Sequence, residues 1–132
     1  MNEDDKVLIR QAIDAIPALA GSNVAALERL GGMTNRVYRL GAFCVRIPGA
    51  GTEEYMDRAN EAVASAEAAN AGVSPDLLHA DARTGLMVTR FVDGAATMTP
   101  DLFRTRPGAA ARAGEAFRRL HSSGAVFPFR FR

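Results

Sequence analysis

Two adjacent glycines, Gly31 and Gly32, are followed closely by Thr34 and Asn35 and sit between two strand-like runs. Glycines in a bend let backbone N–H groups come close to a bound anion, and short polar side chains add donors beside them. The same residues also suit a plain hairpin turn. Fourteen positions after Gly32, Arg46 stands between Val45 and Ile47 in a run of strand character. Strand alternation sets Phe43, Val45 and Ile47 on one face and Cys44 and Arg46 on the other. A guanidinium on a face open to a cleft can grip phosphate oxygens two at a time. On a water-facing edge it would be an ordinary surface arginine. Glu61 follows on a helical stretch whose polar stripe is Glu54, Arg58, Glu61 and Ser65. Spacings of three and four put these on one side of a helix. Packed beside the strand, that helix would aim Glu61 at Arg46; left in water, Glu61 would pair at most with Arg58.

Other reactive residue types do not form a constellation. His121 lies beside Ser122 and Ser123, but neighbours in sequence do not make a triad, and no nucleophile-elbow glycine pattern surrounds them. His121 and His79 are read as structural. Asp76, Asp81 and Asp93 have no asparagine or histidine at the spacing phosphoryl transfer uses. Cys44 is the single cysteine, so neither an internal disulfide nor a thiolate metal site is available.

These residues need elements to position them. Asp4 and Asp5 precede Val7, Leu8, Ala12, Ile13 and Ile16, a helical spacing with acids at the favourable end, closed by Pro17 and by Gly21 and Ser22. Residues 24–30, 36–40 and 43–48 are predicted strands, the last two joined by a tight turn at Gly41 and Ala42. Thr52 is the expected cap of a helix in which Tyr55, Ala59, Ala62, Ala66 and Ala69 recur as far as Gly72. Ser74 and Pro75 open the short strand "DLLHA"; "DARTG" is a turn; 86–92 is a strand closed by Asp93 and Gly94. Thr99 and Pro100 start a short helix, and 108–121 forms another with Ala113, Ala116, Phe117 and Leu120 on one face.

With 132 residues, the chain is long enough for one domain with a modest core. A net charge of +1 gives no electrostatic reason to expect nucleic acid or membrane as partner. The acidic start lacks the pattern of a signal peptide, and no run has the length of a membrane span, so a cytoplasmic chain is expected.

Taken together, "GGMTNRVYRL", "FCVRIPGAGTEEY", "LMVTRFVDG" and "FRRLHSSG" resemble the choline/ethanolamine kinase family, related to the aminoglycoside phosphotransferases. The resemblance implies an α+β fold. It would be a protein-kinase-like small lobe, a five-stranded antiparallel sheet with a packed helix, followed by a hinge and the first large-lobe helix. The implied divisions are an N-terminal helix at 1–23, the nucleotide-binding lobe at 24–92, and the hinge with the start of the large lobe at 93–132.

By the same resemblance Gly31, Gly32, Thr34 and Asn35 would cover the phosphates of ATP, and Arg46, in place of the lysine of protein kinases, would bind them with Glu61 holding it. The C=O of Arg90 and N–H of Val92 would meet the adenine edge, and Cys44 would line its roof. In that family the base for the acceptor hydroxyl and the Mg²⁺ carboxylates come from a "HGDxxxxN" loop and a later acidic motif, which do not occur before "FPFRFR". The chain alone is therefore expected to be inactive, its acceptor in the complete enzyme a small amino alcohol. The apolar stripe of 108–121 with Phe127, Phe129 and Phe131 would favour self-association. A non-catalytic nucleotide-binding or protein-interaction module is the alternative.

Overall fold

The computed structural model describes residues 3–31, 35–49 and 57–127. Helix α1 (Glu3–Ala15) buries Asp5, Ile9 and Ala12, with Ile16 just beyond its end on the same stripe. This stripe is rotated from the expected one: Val7 is 47% exposed, while Leu8 and Ile13 flank the core. Pro17 opens a 3₁₀ turn (Pro17–Leu19) whose Leu19 is fully buried.

A second 3₁₀ turn, Val24–Ala26, occupies the start of the stretch predicted as the first strand. The Asn23 side chain accepts a hydrogen bond from the Ala25 N–H at 2.9 Å and bends the backbone away from an extended path. The strand proper, β1, is Glu28–Gly31. Then come β2 (Asn35–Leu40) and β3 (Phe43–Pro48), joined through Gly41 at φ +61°, a left-handed value that favours glycine.

Helix α2 (Arg58–Asn70) is capped by Asp57, whose carboxylate accepts from the Asn60 N–H at 3.0 Å. The expected cap, Thr52, lies outside the described residues, and the helix carrying Glu61 begins at Arg58 because Asp57 is extended. β4 (Leu77–Ala80) and β5 (Met87–Arg90) flank the "DARTG" turn, where the Asp81 carboxylate accepts from the N–H groups of Arg83 and Thr84 at 2.8 and 3.3 Å. β5 is shorter than the predicted 86–92, although the Phe91 N–H still reaches the Ala42 carbonyl at 2.8 Å. Thr99 caps α3 (Pro100–Thr105), as expected, and α4 (Ala109–His121) packs on α3.

The strands form one antiparallel sheet in the order β1-β2-β3-β5-β4. Its register places Tyr38 opposite Val45, and Val45 opposite Val88. Those side chains, with Leu40, Ile47 and Leu86, pack against Ile9, Ala12, Ile16 and Leu19 in a single core. α1 thus covers one face of the sheet. No helix among the described residues is long and apolar enough to cross a membrane.

Candidate functional site

The other face is where the charged residues gather. Alternation puts Val37 and Arg39 of β2, Cys44 and Arg46 of β3, and Met87 and Thr89 of β5 on the side away from the core. Arg46 stands between Val37 and Met87, and Cys44 between Arg39 and Thr89.

α2 lies over this face. Arg46 makes an ion pair with Glu61, its Nη2 atom donating to Oε1. The same Nη2 lies 2.9 Å from Met87 Sδ, which Ser65 Oγ also approaches, at 3.7 Å. Both charged side chains are largely sheltered, Arg46 29% exposed and Glu61 20%. The Arg46 Nε atom is buried with no hydrogen-bond partner among the described residues. A buried guanidinium N–H left unpaired is uncommon in a folded protein.

Cys44 is half-buried. Burial raises its thiol pKa, and neither the contact with Thr89 nor the charge of Arg46 reverses the shift. It is therefore a protonated, small and weakly reactive side chain.

Of the glycine bend, Gly31 is described at φ +119°, where the register with β2 slips past Leu30 and pairs Gly31 with Val37. Asn35 opens β2 opposite Pro48. Gly32 and Thr34 lie outside the described residues.

At the far end of the sheet the Arg90 N–H donates to the Asp76 carbonyl at 3.0 Å, and Val92 is 50% exposed. Beside them is a contact that the sequence reading missed. The Arg39 guanidinium stacks 4.0 Å above the Phe91 ring, its Nε donates to the Gly41 carbonyl at 3.0 Å, and Asp93 approaches it at 3.6 Å. The β2–β3 turn is thereby tied to the segment after β5. Asp93 and Asp76 are engaged with arginines, and Asp81 holds a turn. His121 has its ring 6.1 Å from that of Phe117.

A second missed cluster lies on the core face. Asp5 is 1% exposed and accepts from Arg36 Nε at 2.6 Å and Nη2 at 2.8 Å, and from the Tyr38 hydroxyl at 3.0 Å. Burial alone would raise the Asp5 pKa, but the hydrogen bonds from Arg36 and Tyr38 and the Arg36 charge outweigh it and bring it below the ordinary value. The signal was present in the sequence. Arg36 alternates with Tyr38 and Leu40 on a buried face and so needs a counter-charge, and Asp5 falls in helical phase with Ile9, Ala12 and Ile16.

A groove between α1 and the 22–27 segment is lined by Lys6, Arg10, Asp14 and Asn23, and another by Ala66, Asn70 and Asp76. Neither involves Arg46 or Glu61. Among the described residues no group of three or more His, Cys, Asp or Glu side chains is placed to hold a metal ion.

The profile of the "Phosphotransferase enzyme family" matches residues 26–132. Among solved structures, a choline/ethanolamine kinase family protein from Mesorhizobium loti is 61% identical, with a TM-score of 0.80 over 96% of this chain and 42% of that one. The choline kinase LicA from Streptococcus pneumoniae is 20% identical, with a TM-score of 0.72 over 98% of this chain and 45% of its own. LicA in complex with AMP gives 21% identity and a TM-score of 0.67 over 93% and 44%. A search of the curated proteins found no match. The chain thus spans less than half the length of these solved relatives. Their shared architecture identifies the five-stranded sheet and its helices as a kinase-like N-terminal lobe. The chain belongs to the phosphotransferase enzyme family, and what it spans is an N-terminal region of the choline/ethanolamine kinase kind.

Proposed function

We propose that this region is the ATP-holding part of a choline/ethanolamine kinase-like phosphotransferase. The observation that carries the reading is Arg46: held by Glu61 on the face of the sheet away from the core, sheltered yet with 29% of its side chain still exposed. A phosphate oxygen is an acceptor that a guanidinium so held suits, since guanidinium–phosphate contacts are charge-assisted. In this reading Gly31, Gly32, Thr34 and Asn35 cover the phosphates, and Glu61 acts through Arg46. The C=O of Arg90 and N–H of Val92 address the adenine edge, and Cys44, protonated and uncharged, forms part of its roof. That LicA is known with AMP supports a nucleotide as ligand.

Electrostatic stabilisation of the phosphates is this region's share of the chemistry. Mg²⁺, where it binds, would neutralise charge on the transferring phosphoryl group. In this reading its ligands, the base and the amino-alcohol acceptor site belong to the remaining length of the enzyme, of which a chain like this one covers 42% in the Mesorhizobium loti relative. The chain by itself then gives no turnover of choline or ethanolamine with ATP.

Calorimetric titration with ATP tests the proposal. The wild-type chain is expected to bind weakly and without strong Mg²⁺ dependence, and Arg46→Ala to lose about tenfold or more in affinity. Absence of wild-type binding, or equal binding by Arg46→Ala, would overturn it.

A further inference from the structure

We propose that Asp5 is a positioning residue for the facing ends of β1 and β2, Gly31 and Asn35, acting from the core face of the sheet; this rests on the nucleotide reading above. The two strands both lead back to its carboxylate. Arg36, the residue after Asn35 on β2, forks onto Asp5 through Nε and Nη2 at 2.6 and 2.8 Å. Tyr38, two residues on, donates its hydroxyl to Asp5 at 3.0 Å. That same hydroxyl accepts from Nη1 of Arg29 on β1 at 3.4 Å, and the Arg29 guanidinium lies 5.3 Å from the Tyr38 ring centre. Arg29 stands two positions before Gly31.

Why β1 needs such an anchor follows from its place. It is an edge strand, exposed throughout, hydrogen-bonded among the described strands to β2 alone and interrupted by a bulge before Gly31. Apolar burial does little to fix it. An acid in the first turn of a helix ordinarily stays in water, where it complements the helix dipole. Asp5 is instead buried, which is tolerated because its charge meets a bidentate partner and a hydroxyl. The result joins α1 to both strands. With Gly31 and Asn35 already set, less ordering is left for a ligand to impose on binding.

Three proteins decide the matter: wild type, Asp5→Asn, and Ile9→Val. Asp5→Asn keeps the size and removes the charge. Ile9→Val thins the same helix–sheet contact without touching the polar cluster, and so controls for simple loosening. ATP affinity and amide hydrogen exchange at residues 29–31 and 35–38 are measured where all three are folded. Asp5→Asn is expected to weaken ATP about tenfold and to speed exchange at these amides by a similar factor, with Ile9→Val within about twofold of wild type in both. The inference is overturned if Asp5→Asn binds ATP like wild type, if its exchange is unchanged, or if Ile9→Val does as much damage. Loss of binding in the wild type would instead remove the nucleotide reading. Should Asp5→Asn not fold, Arg36→Lys, which keeps the charge but loses the fork, and Tyr38→Phe carry the same comparison.

Discussion

Arg46 of β3 and Glu61 of α2, fifteen residues apart in sequence, meet as an ion pair over the sheet face that α1 leaves uncovered. The pair joins a central strand to a helix that otherwise packs mainly along β4. Both partners remain partly exposed, so the pair itself contributes on the order of 1 kcal/mol or less to stability. Its larger effect is orientation.

Glu61→Gln therefore separates orientation from stability. The amide keeps the shape of the side chain but not its charge. Affinity for ATP should fall about tenfold, whereas the urea midpoint should move by less than about 1 kcal/mol equivalent. Arg46→Lys should retain part of the affinity, because charge survives and the planar fork does not. Titration calorimetry and urea melts read the two quantities separately.

Gly85→Ala should be costly. Gly85 has φ +77°, and a Cβ there would sit 2.5 Å from Pro48 Cγ and 2.8 Å from Arg58 Nε. Pro48 ends β3 and Arg58 begins α2, so the turn, the strand and the helix close on one point. A loss of about 2–3 kcal/mol is expected from the combined backbone strain and overlap. Thermal unfolding measures it.

Acid should loosen the α1–sheet contact. Against the upward push of burial, the folded Asp5 carboxyl has its pKa held below the ordinary aspartate value by Arg36 and Tyr38, so the unfolded chain takes up protons first as pH drops. The stability it contributes is present above about pH 4 and is lost as pH falls through the folded value. Asp81 adds in the same direction: burial opposes the shift, but hydrogen bonds from the Arg83 and Thr84 amides lower its pKa. Urea midpoints collected between about pH 6 and pH 2.5 should decline less steeply for Asp5→Asn than for wild type.

Copies of this chain should associate through the C-terminal helical side. Phe117 is 62% exposed and Phe103 44%, with Val126 at 75% and Phe127 at 38% beyond α4. Phe129 and Phe131, named with them from the sequence, lie outside the described residues. Light scattering should show mass rising with concentration, and Phe117→Asp should return a monomer. A wild-type monomer at high concentration would rule the surface out.

The parts legible in advance were those in which one local signal decides. β3 alternates cleanly because it is central, with one side in the core and the other beneath α2; that is why Val45 and Ile47 could be set on one face and Arg46 on the other. The Gly41 turn, the "DARTG" turn and the Thr99 cap each follow from a residue whose own chemistry sets the backbone. What failed depended on distant partners. Asp5 looked like an N-terminal helix acid because its Arg36 partner lies 31 residues away. Arg39 drew no notice because the ring it covers, Phe91, is brought alongside by the pairing of β3 with β5. Val24 and Ala26 have strand-compatible side chains, yet Asn23 bends the chain there.

The bulge in β1 has a bearing on how copies of this chain meet. An outermost ribbon with free amide and carbonyl groups invites a foreign chain to extend the ladder, and repeated addition yields fibrils. Here that border is four residues long, begins with the charged pair Glu28 and Arg29, and loses its regular spacing at Leu30. It is a poor seat for another ribbon, so crowding should produce discrete assemblies and no thioflavin-positive filaments.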